Sequence, residues 1–540
     1  MAGTIGIPVR GRAMRRHTMP VLALIATAMP GAIRSQSAAP PKIDWPTYGF
    51  DTLRTSANPS ETAIGPANVA SLVLAWAFSP GAFENAHDPQ RGAKSARLAA
   101  QAVVATSVTV GGTVHDLVLL GDNYGTFFAL DANAASAAGG VLWHTALGNI
   151  SQTVNGVTHY SGVRGTAALD RTANGGKGVA YVGENGMMHA MDLATGVELP
   201  GWPVSALQPN PPLTDGSIHD GVNVVNGRAY IGTAGYTNDT PPYFGRVASI
   251  DTASGSLVNT WYTMTDSATP PAASGGGIWG WGGVSIDPSA TVGGVYVATG
   301  NSKGGGGQAA FAETIVNLNP DLAQVSAASP VFDRRLNGGD NDYGSTPVVF
   351  QPTGCATKLL VAENKSGRLV IDSVAANGAL AVMQNLSVTS AVDGLFHGTA
   401  AWDAADQLVL VTLPLVGPSP FLAGLAAFKV NPTCGQPLLS LAWQTSTLQD
   451  GSPLVPPSNP ITSPIVANGL VYFGSGATAA KYYAVAARAG VGYAAGQIIW
   501  SSVGVVGCTA NVTPTIVNGL LFALCNGPAS KVLAFRLPNG

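Results

Sequence analysis

The chain has 540 residues, of which 68 are Gly, 37 are Pro and only 10% are charged. This length exceeds that of a usual single domain, so the sequence predicts either several domains or one architecture enlarged by repetition. The charged fraction is less than half of the roughly 25% typical of soluble domains. With a formal charge of −3 and 26 scattered Lys and Arg residues, the sequence has no basic stripe, and we expect no nucleic-acid partner.

The N-terminus has the pattern of a secretory signal. The cationic stretch "RGRAMRRH" precedes the apolar run "TMPVLALIATAMPGAI", and the small residues Ser35 and Ser37 stand before a predicted cut near Ala38. The apolar run is too short for the roughly 20 residues that a membrane span needs. We therefore predict that residues 1–37 are a signal peptide, that the mature protein is periplasmic or secreted, and that it has no membrane span.

A unit of about three strands recurs along the chain. "VLLGDNYGTFFALDANAASAAGGVLW" ends at Trp143, and the looser copy "VAYVGENGMMHAMDLATGVELPGW" ends at Trp202. Each copy shows apolar runs separated by Asx-Gly turns, which is typical of successive hairpins. Trp261 follows after another 59 residues, and Trp443 and Trp500 are 57 apart. Each tryptophan closes an outer strand, and we expect it to pack between neighbouring units.

Each unit follows one further short strand, and eight such strands occur: "AQAVVATSV", "RGTAALD", "HDGVNVVNG", "WGWGGVSID", "YGSTPVVF", "HGTAAWD", "TSPIVANG" and "NVTPTIVNG". Four strands per unit at this period predict an all-β fold, an eight-bladed β-propeller of four-stranded antiparallel blades. The last unit lacks its outer strand, which "LVLAWAF" around Trp76 can supply. Residues 38–540 are thus predicted to form a single domain, with an entry segment and closing strand at residues 38–78.

These repeats resemble those of eight-bladed quinoproteins, which bind pyrroloquinoline quinone (PQQ). The segment "DWPTYGFDTLRTSANPSETAIGPANVASLVLAW" is also similar to the start of secreted dehydrogenases of the polyvinyl-alcohol dehydrogenase type. The resemblance implies PQQ above a Ca²⁺ ion in the central channel, with an Asp as base. This sequence lacks the adjacent cysteines of many members and any CxxCH haem motif, so electrons would leave to a separate acceptor.

The starts of the innermost strands line one end of the channel in such a fold. They carry a cation, two imidazoles, carboxylates, amides and indoles, which suit a planar, multiply anionic cofactor or a polar ligand. The candidate residues are Gln101, Arg164, His219, Trp279, Trp281, Asp342, His397 and Asn511. Arg164 is predicted to pair with a carboxylate of the quinone. The alternative is that this ring only holds ordered water.

The stretch "NGGDNDYGSTP" is the most acidic point of this ring. Asp340 and Asp342 are hard oxygen ligands that suit Ca²⁺, and Asp342 is the predicted base for an alcohol proton. The alternative is an Asx turn before the strand. His219 and His397 are candidate proton acceptors. Trp279, in "GGGIWGWGG", is a candidate stacking surface, although packing between blades explains it equally well.

The four cysteines fit an exported protein. Cys508 and Cys525 begin and end adjacent antiparallel strands, and Cys355 and Cys434 stand in hairpins of neighbouring units on the opposite face. We predict the disulfides Cys508–Cys525 and Cys355–Cys434.

Two functional hypotheses follow. The first is a quinoprotein-like oxidoreductase that oxidises a small-molecule alcohol or sugar, or a polymer, with PQQ and Ca²⁺ in the channel. The second is a non-catalytic propeller scaffold that binds a protein, a glycan or an envelope polymer through loops on one face. The sequence contains no feature that predicts an oligomeric state.

Overall fold

The computed structural model describes most of the chain. The described residues are 1, 3, 41–87, 96–136, 138–154, 157–207, 216–235, 243–265, 274–303, 311–328, 341–390, 398–455 and 461–538. Lys42–Gly540 form one compact unit, and Met1–Pro41 form another. Residues 4–37, nearly all of the predicted signal peptide, lie outside the described residues.

The described strands of the larger unit form eight four-stranded antiparallel blades, as the repeats predicted. We number the blades by the chain order of their innermost strands and give each from inside to outside. Blade 1 contains Val103–Val110, Thr113–Gly121, Thr126–Asp131 and Val141–Ala146, and blade 2 contains Ala168–Asp170, Val179–Glu184, Met187–Asp192 and Val204–Ser205. Blade 3 contains Asn223–Val225, Arg228–Thr233, Arg246–Asp251 and Leu257–Tyr262, and blade 4 contains Ser285–Ile286, Val295–Ala298, Ile315–Leu318 and Gln324–Ala328. Blade 5 contains Val348–Phe350, Lys358–Asn364, Arg368–Val374 and Leu380–Ser387, and blade 6 contains Ala401–Asp403, Leu408–Leu413, Gly424–Val430 and Leu439–Thr445. Blade 7 contains Ile465–Ala467, Leu470–Ser475, Ala479–Ala486 and Ile498–Ser501, and blade 8 contains Thr515–Val517, Leu520–Cys525, Lys531–Arg536 and Val73–Phe78.

The remaining elements are short. Two strand pairs, Ile150–Val154 with Val157–Ser161 and Ser274–Gly275 with Ser302–Lys303, lie outside the blades, and Ala57–Asn58 and Val505–Val506 extend the sheet of blade 7. The helices are Pro80–His87, Ala173–Gly176 and a 3₁₀ turn at Val69–Ser71. The described residues contain no helix that is both long and apolar enough to cross a membrane.

The predicted closure of the ring by the N-terminus is confirmed. Val73–Phe78 pairs antiparallel with Lys531–Arg536 and becomes the outer strand of blade 8. Because this strand comes from the start of the chain and its three partners come from the end, blade 8 is built from both ends of the sequence. Such closure removes the open edge that an incomplete last blade would present.

Apolar clusters join successive blades and form the core. One cluster joins blades 7, 8, 1 and 2, and five smaller clusters join the pairs 2–3, 3–4, 4–5, 5–6 and 6–7. The strands are buried on both faces between blades, and this explains their nearly continuous apolar character. Each blade is therefore held mainly by its neighbours in the ring.

The repeated tryptophans lie between blades, as predicted. An indole N–H from the outer strand of one blade donates to a backbone carbonyl of the next. These bonds join Trp76 to Ala132 at 3.0 Å, Trp143 to Leu193 at 3.0 Å, Trp443 to Ala487 at 3.0 Å and Trp500 to Leu72 at 3.3 Å. Buried indoles satisfied in this way explain the repeat spacing by packing.

Both predicted disulfides are confirmed. Cys508 bonds to Cys525 within blade 8, with their Cα atoms 5.5 Å apart. Cys355 bonds to Cys434 with a Cα separation of 5.4 Å, and joins hairpins of blades 5 and 6. The two bridges therefore fix the terminal blade and one blade-to-blade contact.

Residues 45–58, here called the channel segment, run past the innermost strands of all eight blades. Six inner-strand N–H groups donate to backbone carbonyls of the segment, in chain order: Val104 to Trp45, Leu169 to Pro46, Ile286 to Thr52, Val349 to Leu53, Trp402 to Thr55 and Val466 to Ser56. Side-chain amides complete the circle, because Asn223 of blade 3 donates to the Thr52 carbonyl and Asn58 donates to the Ile516 carbonyl of blade 8.

Candidate functional site

The residues that precede the innermost strands form two layers. Four residues before the strand stand Arg164, His219, Trp281 and Asn511, in blades 2, 3, 4 and 8. In five of the eight blades, the residue two positions before the innermost strand carries a hydroxyl group. These residues are Thr166, Thr346, Thr399, Ser463 and Thr513. The hairpins between second and third strands reach the same end of the blades, because antiparallel neighbours return there. We describe this end as the connecting face.

Arg164 lines a pocket of about 210 Å³ at the connecting face. The pocket also contains Arg97, which precedes blade 1, and the side chains of Tyr124 and Tyr160, whose ring centroids are 4.8 Å apart. None of the described residues that line it is acidic. Two guanidinium groups beside aromatic rings suit a flat ligand that carries carboxylates.

Trp279 and Asp342 approach one another at Gly300. A methyl group on Gly300 would clash with both the Asp342 carboxylate and the Trp279 indole nitrogen, so only glycine permits this close approach. The buried Trp279 Nε1 has no hydrogen-bond partner among the described residues. Buried donors are normally bonded, so this unpaired N–H is an exception in the described part of the chain.

Asp342 is fully buried and forms an ion pair. Its Oδ2 atom accepts a hydrogen bond from Lys365 Nζ at 2.9 Å, and Oδ1 accepts one from the Asn301 backbone N–H at 2.6 Å. The Lys365 side chain is only 6% exposed. Both Asp342 oxygens are therefore occupied, one by an ammonium and one by a backbone N–H, and a neighbouring ammonium favours the ionised form of a carboxyl group.

His219 and the adjacent Asp220 are buried next to this group. The His219 ring centroid lies 5.5 Å from that of Trp279, and His219 Nε2 is bonded to the Gly235 carbonyl, so this nitrogen is the protonated one. Asp220 Oδ2 accepts a hydrogen bond from Gly232 N at 2.8 Å. Burial raises the pKa of Asp220 well above its usual range, because the charged form is poorly solvated there.

The remaining described candidates have different surroundings. Gln101 is buried, and both ends of its amide group hold the backbone. Its Oε1 atom accepts a hydrogen bond from the Gly49 N–H at 2.9 Å, and its Nε2 atom donates one to the Pro514 carbonyl at 2.7 Å. Trp281 is half-buried, and its carbonyl accepts from Gly221 N at 2.7 Å. Asn511 has a buried side-chain oxygen without a hydrogen-bond partner among the described residues.

A third buried carboxyl group lies near the start of blade 6. Glu363 is 1% exposed, and neither of its carboxyl oxygens has a hydrogen-bond partner among the described residues. Burial raises its pKa to about 8. A methyl group on Gly398 would lie 3.1 Å from Glu363 Oε2, so this neutral acid faces the backbone that follows His397.

Two candidates cannot be placed. His397 and Asp340 lie outside the described residues, so their predicted roles as proton acceptor and metal ligand stay predictions. Among the described residues, no group of three or more His, Cys, Asp or Glu side chains could hold a metal ion.

Lys365, Asn301 and Arg97 were not among the residues predicted from the sequence. Lys365 and Asn301 stand in hairpins between second and third strands, which reach the same face as the strand starts. A usable signal existed, because five of the second strands end with or are followed within three residues by an asparagine: Asn123, Asn185, Asn301, Asn364 and Asn526. A repeated residue at one end of the blades marks the lining of that end.

The comparisons with known proteins place the fold. No family model matches the sequence, and no curated protein matches it. Among solved structures, the chain is similar to the quinohemoprotein alcohol dehydrogenase from Comamonas testosteroni, with 16% identity and a TM-score of 0.61 over 92% of this chain and 80% of that one. The corresponding enzyme from Pseudomonas putida HK5 gives 16% identity, a TM-score of 0.62 and coverages of 92% and 80%. The chain is also similar to a europium-containing methanol dehydrogenase, with 16% identity and a TM-score of 0.59 over 92% of this chain and 98% of that one. The fold is thus the eight-bladed propeller found in these dehydrogenases.

Proposed function

We propose that this protein is a quinoprotein-like oxidoreductase that oxidises an alcohol or a sugar with PQQ bound at the connecting face. The observation that carries the proposal is the buried Asp342–Lys365 ion pair beside Trp279. In this proposal the Asp342 carboxylate is the base, and it lies close to the flat ring of Trp279 at the connecting face. The fold shared with the alcohol and methanol dehydrogenases supports the reaction class.

Asp342 is the base in this proposal. Oxidation of an alcohol to a carbonyl compound removes a proton from the hydroxyl oxygen and two electrons, with the carbon-bound hydrogen, from the carbon. Asp342 accepts the hydroxyl proton, and Lys365 keeps the carboxylate ionised until then. PQQ, when bound, supplies the two-electron acceptor. His397 is a second candidate for moving the proton, on the sequence evidence alone.

The residues at the connecting face fit a planar, carboxylated quinone. Arg164 and Arg97 present two guanidinium groups to one pocket, which suit carboxylate groups of the quinone. Trp279 offers a ring face and an unpartnered N–H, and His219 orients this ring from the side. Trp281 and Asn511 are proposed to contact the same ligand, whereas Gln101 would act only by holding the blades beneath it.

The donors near Asp342 also fit a hard cation such as Ca²⁺. The side-chain oxygen of Asn301 is buried and has no hydrogen-bond partner among the described residues, although its backbone N–H bonds to Asp342. Amide and carboxylate oxygens are ligands that Ca²⁺ prefers. Asn301, Asp342 and Asp340 would therefore hold the ion, whose positive charge would favour a bound anionic quinone.

A dye-linked assay of alcohol oxidation tests the proposal. Asp342→Asn, in protein supplied with PQQ and Ca²⁺, is expected to lower the turnover rate at least about 100-fold, because general-base catalysis contributes about that much or more. Asp287→Asn is the matched control, since Asp287 forms another Asp–Lys pair, with Lys358, at the opposite end of the blades. Full activity in Asp342→Asn would overturn the assignment.

The proposal includes an extracytoplasmic location and a separate electron acceptor. The two disulfides support export to the periplasm or the medium, consistent with the predicted signal peptide. A chain that binds no PQQ, with or without Ca²⁺, would instead favour the scaffold hypothesis and a search for a protein or glycan partner.

A further inference from the structure

Blades in a repeat fold contact only their neighbours, and their stability is usually a sum of local terms. The channel segment departs from this rule, because residues 45–58 hydrogen bond to the innermost strands of all eight blades in chain order. Fourteen residues thus contact strands that are separated by more than 400 positions in the sequence.

Arg54 fixes the shape of the segment from inside. Its side chain is 0% exposed, and its guanidinium donates to Thr47 Oγ1 and to the carbonyls of Tyr48, Gly221, Val222 and Val284. These acceptors belong to the segment itself and to the residues that precede or enter the inner strands of blades 3 and 4. Arg54 therefore holds the two ends of one loop of the segment and two blades at once.

Tyr48 carries the segment across the channel. A methyl group on Gly282, next to blade 4, would lie 2.8 Å from Tyr48 Cδ1. On the other side, the phenol oxygen lies 3.4, 3.3 and 3.2 Å from the hydroxyls of Thr399, Ser463 and Thr513, which precede blades 6, 7 and 8. The side chain thus spans the ring of strand starts, directly below the layer that contains Arg164 and Trp281.

We propose that the channel segment is a tether that couples the eight blades into one cooperative unit and holds the strand starts at the connecting face in fixed relative positions. Loss of a contact at one blade then loosens the segment. The inner strands of blades that the altered residue does not contact become less stable as a result. This inference does not depend on the proposed oxidoreductase activity, since it concerns only the contacts of the channel segment with the blades.

Hydrogen exchange with mass spectrometry tests the tether in the full chain. Arg54→Met is expected to speed exchange about fivefold, the effect of losing about one hydrogen bond, at the inner strands of blades 1, 5, 6, 7 and 8, which Arg54 does not contact. Arg246→Met is the matched control, because Arg246 is also 0% exposed but bonds to Leu207 and Tyr262 away from the segment. In this control, faster exchange is expected only in blade 3 and its neighbours.

Acceleration confined to blades 3 and 4 in Arg54→Met would overturn the proposal. Should that variant fail to fold, Asn58→Ala removes the bond to blade 8 and one local bond from the Ser60 N–H, and it is expected to speed exchange in the inner strands of the other blades as well. Asn317→Ala, which removes a buried amide bond to Gly378, is its control. Exchange that changes only in blade 8 of Asn58→Ala would equally contradict a tether.

Discussion

Asp372 gives a prediction whose size follows from the structure. This aspartate lies in the third strand of blade 5, is 0% exposed, and neither carboxyl oxygen has a hydrogen-bond partner among the described residues. Asp372 lies on the same face of its strand as Val370 and Val374, because residues two apart in a strand point the same way. Both valines pack in the apolar cluster between blades 4 and 5. Burial raises the pKa of Asp372 to about 7 from its usual 3.8.

The sign of the pH effect follows from linkage. The unfolded chain releases this proton near pH 4, and the folded chain holds it until about pH 7, so stability falls across that interval and is level above it. The difference of about 3 pH units corresponds to about 4 kcal/mol. Asp372→Asn cannot ionise, so its unfolding free energy should gain about 4 kcal/mol relative to the parent between pH 4 and pH 8.

Thermal unfolding at pH 4, 6 and 8 measures this gain. With about 2 cal/mol/K of unfolding entropy per residue, 4 kcal/mol corresponds to about 4 °C in a chain of this size. Asp251→Asn is a useful control, because hydrogen bonds from Ser254 lower the pKa of Asp251; its linked stability change falls below about pH 4, so little pH dependence is expected between pH 4 and pH 8. A difference between Asp372→Asn and the parent that does not change with pH would refute the reasoning.

Three further outcomes are expected. Lys365→Met leaves the Asp342 carboxylate buried without its cation and should cost about 3–5 kcal/mol in urea unfolding; a similar loss in an Asp342→Asn background would contradict this cause. Replacing Cys508 and Cys525 by Ser removes a disulfide of sequence separation 17 and should lower the unfolding free energy by about 3 kcal/mol by the loop-entropy model. Reductant should then have no further effect on the stability of that blade. Trp443→Phe removes an indole bond to the next blade and should cost about 1 kcal/mol, whereas unchanged stability would assign the tryptophan to packing alone.

The fold could be predicted from the sequence because each blade repeats the same local signals. Turn residues, short apolar runs and a terminal tryptophan recur eight times in whole or in part, so errors at one blade are corrected by the others. The closing strand at Trp76 followed from the outer strand that the last blade lacks, and the disulfides followed from the strand ends and hairpins in which the cysteines stand.

The channel segment could not be predicted in this way. Most of its contacts join backbone N–H groups to backbone carbonyls, and such contacts leave no side-chain pattern. Lys365 could not be predicted for a related reason, because its pairing with Asp342 joins a hairpin to a strand start, and the sequence does not show which hairpin lies beside which strand start. Conversely, Gln101 occupies a predicted position but uses its amide to hold Gly49 and Pro514.

The most direct test of the proposed function is a calorimetric and absorption titration of the purified mature protein with PQQ, with and without Ca²⁺. The account predicts saturable binding of about one PQQ per chain, lost when Asp342→Asn and Arg164→Ala are combined and retained in Asp287→Asn. Absence of binding under both conditions, in a protein whose thermal unfolding shows it to be folded, would contradict the account.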